Sequence, residues 1–160
     1  MLKVYPLKNY PKYISEINKI VFDEFKYFFP NLSMEDFEKS VNEKLNIDKL
    51  PIFYVAFDDN KLIGCFALRG YDIKVSKDFS PPLKEKYSPW LGSIVVYPHY
   101  RGQGYGKALV EIAKQKIKEL GFKKLYLFTD KEKFYIRLRF KIIQKTKINN
   151  NPCSIMSCSL

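Results

Sequence analysis

The chain has 160 residues, 46% hydrophobic and 28% charged, with a formal net charge of +11 from 28 Lys+Arg against 17 Asp+Glu. That length suits a single domain over residues 1–160, burying roughly 70% of its unfolded surface, and no apolar run approaches the roughly 18 residues of a membrane span. Three cysteines, an odd number without Cys-x-x-Cys spacing, exclude a disulfide scaffold and point to a reducing compartment; with no long apolar core near the N-terminus, the expectation is a cytoplasmic protein.

In chain order, residues 2–7 read as a short strand ended by proline. Ile14, Ile17, Val21 and Phe25 fall at helical spacing and predict a helix over residues 10–27. After a break at 28–31, Ser33 with Asp36 three residues on is a capping-box variant, and Phe37, Val41 and Leu45 form the stripe of a second helix. Residues 52–57 and 62–68 read as strands joined by the hairpin turn Asp58-Asp59-Asn60-Lys61. The polar stretch 71–89, with Pro81, Pro82 and Pro89, reads as a long loop.

A strand over 90–97 then runs into Arg101-Gly102-Gln103-Gly104-Tyr105-Gly106-Lys107, followed by a helix to Leu120 that Gly121 caps. Glycines at alternate positions strip the turn of side chains, so that backbone N–H groups can approach a ligand closely. A helix N-terminus adds partial positive charge, and Arg101 and Lys107 bracket the turn. These features suit a phosphate. A Walker loop is excluded, because Arg101 stands where its first glycine belongs and Ala108 where its hydroxyl belongs. A dinucleotide fingerprint is excluded as well, because Lys107 occupies its third glycine. Beyond the helix come a strand over 122–128, a short helix over 131–138, and strands near 140–147 and 153–159. Cys153 and Cys158, five apart on that last strand, lie on opposite faces and do not pair.

The pattern Arg101-x-x-Gly104-x-Gly106 resembles the acyl-CoA pyrophosphate loop of the GNAT superfamily of N-acetyltransferases. Residues 89–102 resemble the strand and loop of bacterial members. Residues 125–129 with Phe134, Tyr135 and Phe140 resemble the second CoA-contacting region, and residues 155–160 the closing strand. Residues 1–88 match by element order only. The resemblance implies an α/β (α+β) fold with a mixed, mainly antiparallel sheet of about seven strands flanked by about four helices.

It also implies an acetyl-CoA-dependent N-acetyltransferase in which a primary amine attacks the thioester directly. The turn 101–107 would hold the pyrophosphate. Backbone groups of Ile94, Val95 and Val96 would hold the pantetheine arm and polarise the thioester carbonyl. Tyr135 would be the general acid, since a phenol of pKa about 10 stays protonated at neutral pH. The family usually has glycine before the phenylalanine, whereas here Arg139 precedes Phe140. That departure is expected to alter the turn and displace Tyr135.

No carboxylate occupies 90–97, so the general base is not legible; His99, the only histidine, is a poor candidate, and water-mediated deprotonation through backbone carbonyls, Ser93 or Asp72 is preferred. Asp72, at a strand end near the expected acceptor mouth, is also a candidate for orienting the amine. No metal is expected, for want of ligand spacing.

The basic charge raises nucleic acid as a partner, but the lysines are dispersed and no Arg-rich arm, zinc spacing or RNP-like signature accompanies them. The rival reading is a non-catalytic acyl-CoA-binding module on the same fold. The acceptor is open between small-molecule and peptide amines, and the chain is expected as monomer or homodimer.

Overall fold

The computed structural model describes residues 1–71 and 77–160, so the expectation for Asp72 falls outside the described residues. Seven strands, β1 (Lys3–Pro6), β2 (Ile52–Asp58), β3 (Lys61–Arg69), β4 (Trp90–Val96), β5 (Lys124–Thr129), β6 (Lys141–Ile148) and β7 (Asn151–Ser159), form one sheet in the order β1-β2-β3-β4-β5-β7-β6. Every neighbouring pair is antiparallel except β4 and β5. The helices among the described residues are α1 (Ile14–Phe25), α2 (Met34–Asn42), α3 (Tyr105–Glu119) and α4 (Glu132–Ile136). The mixed, mainly antiparallel α/β architecture expected from the sequence is therefore the one observed. No helix among the described residues is long and apolar enough to cross a membrane.

Strand β2 shows how the sheet becomes a central layer. Successive side chains point to opposite faces. Ile52, Tyr54 and Ala56 join one core with Leu109, Ala113 and Ile117 of α3. Phe53, Val55 and Phe57 join another with Ile17 and Val21 of α1 and Val41 of α2. A third cluster, including Phe28, Phe79, Tyr87 and Trp90, seals residues 77–87 against β6 and β7. Cys153 lies in that third cluster and Cys158 in the first; both are buried and free.

Local chemistry places most boundaries. Asp59 and Asn60 take φ of 45° and 64°, and Asn149 and Asn150 take 46° and 66°, so both hairpins turn through the left-handed pair that matches strand twist. Ser33 Oγ accepts the Asp36 N–H at 3.1 Å, capping α2. Two of the helix starts differ from expectation for a local reason. The first helix starts at Ile14, directly after a separate 3-10 turn at Pro11–Tyr13 that proline opens. The helix after the glycine turn starts at Tyr105, so Gly106 is helical and only Gly102 (φ 77°) and Gly104 (φ 87°) shape the turn.

Strands β4 and β5 pair only at Trp90↔Tyr126, extended by the Tyr126 N–H to the Pro89 carbonyl at 2.9 Å. Beyond that point they diverge. The cause is a bulge in β4: Cys65 faces Val95 and Ala67 faces Gly92, so three steps on β4 oppose two on β3. Ser93 absorbs the extra residue at φ 51°. A bulge bends its strand and ends regular pairing, which here turns the C-terminal half of β4 away from β5.

Candidate active site

The divergence of β4 and β5 opens a cleft of about 860 Å³. Its walls come from the end of β4, the glycine turn, the start of α3, the end of β5, α4, and α1 with α2. Of the residues singled out in the sequence, Ser93, Ile94, Val96, Arg101, Gly102, Gly104, Tyr105, Gly106, Lys107 and Tyr135 all border it. Val95 and Gln103 do not. The Val95 side chain is buried in the core against α1, as alternation along a strand requires. Gln103 is exposed and donates from Nε2 to the His99 carbonyl at 3.2 Å. His99 itself is exposed outside the cleft, its ring 4.1 Å from that of Tyr100.

At one end of the cleft, Gly104 is the left-handed residue before α3, and no side chain caps the helix. The first N–H groups of α3 therefore carry the open, partly positive end of a 15-residue helix into the cleft. Lys107 is exposed on that first turn. Arg101 is held by two partners. Its Nε donates to the Val96 carbonyl at 2.9 Å, and its Nη2 donates to Glu24 Oε2 on α1 at 2.9 Å. It thus ties the turn to β4 and α1. Tyr105 anchors the other side, donating its hydroxyl to Asp58 Oδ2 at 2.7 Å; the Asp58 carboxylate holds this phenol above its usual pKa range.

Tyr135, on α4, borders the same cleft. Its ring is buried, edge-on to Phe134 at 4.9 Å and to Phe140 at 5.6 Å. Its hydroxyl has no hydrogen-bond partner among the described residues, although the residue borders the cleft. Burial, and secondarily the charge of Asp130, push its pKa above the ordinary tyrosine value, so the phenol remains protonated at neutral pH.

The turn that was expected to change at Arg139 keeps a glycine-like conformation. Arg139 itself adopts the left-handed conformation at φ 66°. Its N–H reaches the Ile136 carbonyl at 3.0 Å, while the Phe140 N–H reaches the Tyr135 carbonyl at 3.1 Å. This pair of bonds is the helix ending usually built on glycine. An L side chain in that conformation costs roughly 1–2 kcal/mol. Arg139→Gly is therefore expected to stabilise the fold by about 1 kcal/mol, raising Tm by about 2–4 °C. Differential scanning calorimetry checks it, and an unchanged or lower Tm would refute the strain argument.

Sequence reasoning missed Glu24, Tyr27 and Asp130. Glu24 also lies 3.8 Å from Lys131 Nζ, so one carboxylate joins α1 to the glycine turn and to the loop before α4. Asp130 accepts from the Tyr27 hydroxyl at 2.9 Å. These residues fit no local motif; α1 reads as an amphipathic helix whose polar positions are interchangeable until the sheet is placed beneath it.

The acetyltransferase (GNAT) family model matches residues 14–139. The chain is 27% identical over 99 residues to an uncharacterised N-acetyltransferase of Chlorobaculum tepidum, a match covering 62% of this chain and 56% of that relative. The match thus spans little more than half the length of that protein. Among solved structures, an aminoglycoside 6'-acetyltransferase type Ii superposes with a TM-score of 0.69 at 20% identity, covering 99% of this chain and 96% of that one. The spermidine N-acetyltransferase from Vibrio cholerae, in complex with CoA and spermine, gives 0.70 at 19% identity, covering 99% and 95%. Those two likenesses are likenesses of fold. With the family model spanning most of the sequence, the chain belongs to the acetyltransferase (GNAT) family.

Proposed function

We propose that the chain is an acetyl-CoA-dependent N-acetyltransferase that passes the acetyl group to a primary amine by direct attack on the thioester. The observation that carries this reading is the cleft itself. An uncapped helix N-terminus at Gly104, the unpaired edge of β4 and the unpartnered Tyr135 hydroxyl all open into one volume. A pyrophosphate suits the N–H groups of the turn and the charge of Lys107. The edge of β4 beyond Trp90 offers main-chain groups to a pantetheine amide and to the thioester oxygen.

The amine nitrogen then forms a bond to the thioester carbon. The carbonyl pair moves onto oxygen, and an N–H of β4 stabilises that oxyanion. The oxyanion pair then re-forms the carbonyl, the C–S bond breaks with its electron pair leaving on sulfur, and Tyr135 delivers its proton there and regains one from solvent. The nitrogen loses a proton to solvent along the cleft, giving amide and free thiol.

Thermal unfolding with and without acetyl-CoA tests the donor assignment. At one hundred times its dissociation constant a ligand adds about 2.7 kcal/mol, roughly 5–11 °C for a chain of this size. The expected result is that shift with acetyl-CoA and with CoA but not with ATP. No shift would overturn the reading. A shift without turnover on any amine would leave a non-catalytic acyl-CoA-binding module.

A further inference from the structure

Lysines run the length of the chain, but the acids do not. Residues 101–147 carry 14 Lys+Arg against 4 Asp+Glu, a net +10 of the chain's +11. Helices α3 and α4 lie in this stretch, and both pack into the first core through Leu109, Ala113, Tyr135 and Leu138. On the other sheet face, α1 and α2 carry 3 Lys against 6 Asp+Glu over residues 14–42. One helix layer is therefore basic and the other acidic.

Each of the four carboxylates in 101–147 already has a partner. Glu111 pairs with Lys114 at 2.9 Å, Glu119 with Lys116 at 3.6 Å, Glu132 with Lys145, and Asp130 accepts from Tyr27. By contrast, Lys107, Lys118, Lys133, Arg137, Arg139 and Lys141 are exposed and make no ion pair or side-chain hydrogen bond among the described residues. Two contacts fix where these cations sit. The Phe134 ring lies 3.5 Å from where a Cβ on Gly106 would stand, and Lys114 Nζ donates to the Leu138 carbonyl at 2.6 Å. Helix α4 thus lies along the first half of α3, where Gly104, Lys107 and Phe134 border the cleft. Lys133 and Arg137, four residues apart, are neighbours on the helix surface. Between them α4 exposes Phe134 at 36% and Ile136 at 51%.

Extent and composition decide the occupant. Lys107 and Lys118 stand about 16 Å apart along α3, so one nucleotide meets this surface only at its Lys107 end. The rest suits a macromolecular polyanion. Phenylalanine and isoleucine exposed among the cations suit an acidic protein with an apolar anchor better than a bare phosphate chain. A macromolecule seated here would also block exchange of acetyl-CoA at the start of α3, unless it carries the donor arm itself.

Resting on the acetyltransferase reading above, we infer that the α3–α4 surface docks an acidic carrier protein whose serine-linked 4'-phosphopantetheine bears the acetyl thioester, a second donor beside acetyl-CoA. The arm enters the cleft as that of acetyl-CoA does, its phosphodiester at the first N–H groups of α3. The amine nitrogen bonds to the thioester carbon, the C–S bond breaks, and the sulfur takes a proton and stays on the carrier as a thiol. The surplus proton of the amine passes to solvent.

The test is fluorescence anisotropy with a labelled acyl carrier protein, prepared without the arm and with the acetylated arm, at about 50 mM salt. The acetylated form is expected to bind about tenfold more tightly than the arm-less form and to be displaced by saturating CoA. Lys133→Glu with Arg137→Glu is expected to weaken its binding about tenfold, while the acetyl-CoA dissociation constant stays within about threefold. Failure of the acetylated carrier to bind would overturn the inference. Equal binding of both forms, or no displacement by CoA, would overturn it too, leaving a generally basic surface. Polyuridylate bound more tightly than the acetylated carrier would make the occupant a nucleic acid and also sink it. These arms use the wild-type protein and stand even if the double variant fails to fold. In every one of them acetyl-CoA would still raise Tm; loss of that shift would instead strike the parent reading.

Discussion

Tyr135→Phe is expected to lower kcat by about 10²-fold, close to 2.7 kcal/mol of barrier, and to leave acetyl-CoA affinity intact. The substitution is clean for a physical reason. The ring keeps its edge-on contacts with Phe134 and Phe140, and the hydroxyl removed bonds to no described residue, so no buried donor or acceptor is orphaned. Stability should therefore change by less than about 1 kcal/mol. Steady-state kinetics with calorimetric acetyl-CoA binding separates the two effects. An undiminished kcat would remove Tyr135 from proton transfer.

The pH profile adds a second readout. Burial, with the Asp130 charge behind it, raises the Tyr135 pKa above its ordinary value. A raised pKa keeps the acid form populated to higher pH. No alkaline fall in kcat from Tyr135 is then expected below about pH 10; a fall near neutrality would belong to another group.

Gly64→Ala carries the largest expected structural effect. A Cβ at this position would lie 2.1 Å from the Val95 carbonyl oxygen and 3.1 Å from Val96 Cα. Both are backbone atoms of neighbouring β4, so no rotamer change relieves the clash. We expect a loss of about 3 kcal/mol, lowering Tm by about 6–12 °C. Because the displaced atoms belong to the bulged half of β4, acetyl-CoA stabilisation should weaken in the same variant. A stable Gly64→Ala protein with normal acetyl-CoA binding would show that the close approach of β3 to β4 does not shape the cleft.

Some of the site was legible because its chemistry is local. The turn at 101–107 is a run of glycines before an amphipathic helix, and its consequence, exposed N–H groups at a helix start, needs only neighbouring residues. The hairpins announce themselves through Asp59-Asn60 and Asn149-Asn150, residues that tolerate the left-handed region. Arg139 shows the limit of such reading. A missing glycine suggested an altered turn, yet the two hydrogen bonds that end α4 hold arginine in the same conformation. Tertiary context outweighed a local preference of roughly 1–2 kcal/mol.

By itself the sequence determined the order of strands and helices, the phosphate-suited turn and the position of Tyr135 within a recognisable stretch. Periodicity and turn chemistry act over a few residues, and a linear reading captures them. Only the tertiary structure decided that Arg101 pairs with Glu24, 77 residues away, and that Tyr27 meets Asp130 across 103. It alone decided that β4 leaves β5 after one paired residue. Those features arise where the bulge at Ser93 bends one strand and α1 lies over the opening. No spacing along the chain encodes which polar residue of a helix will face a gap in the sheet beneath it.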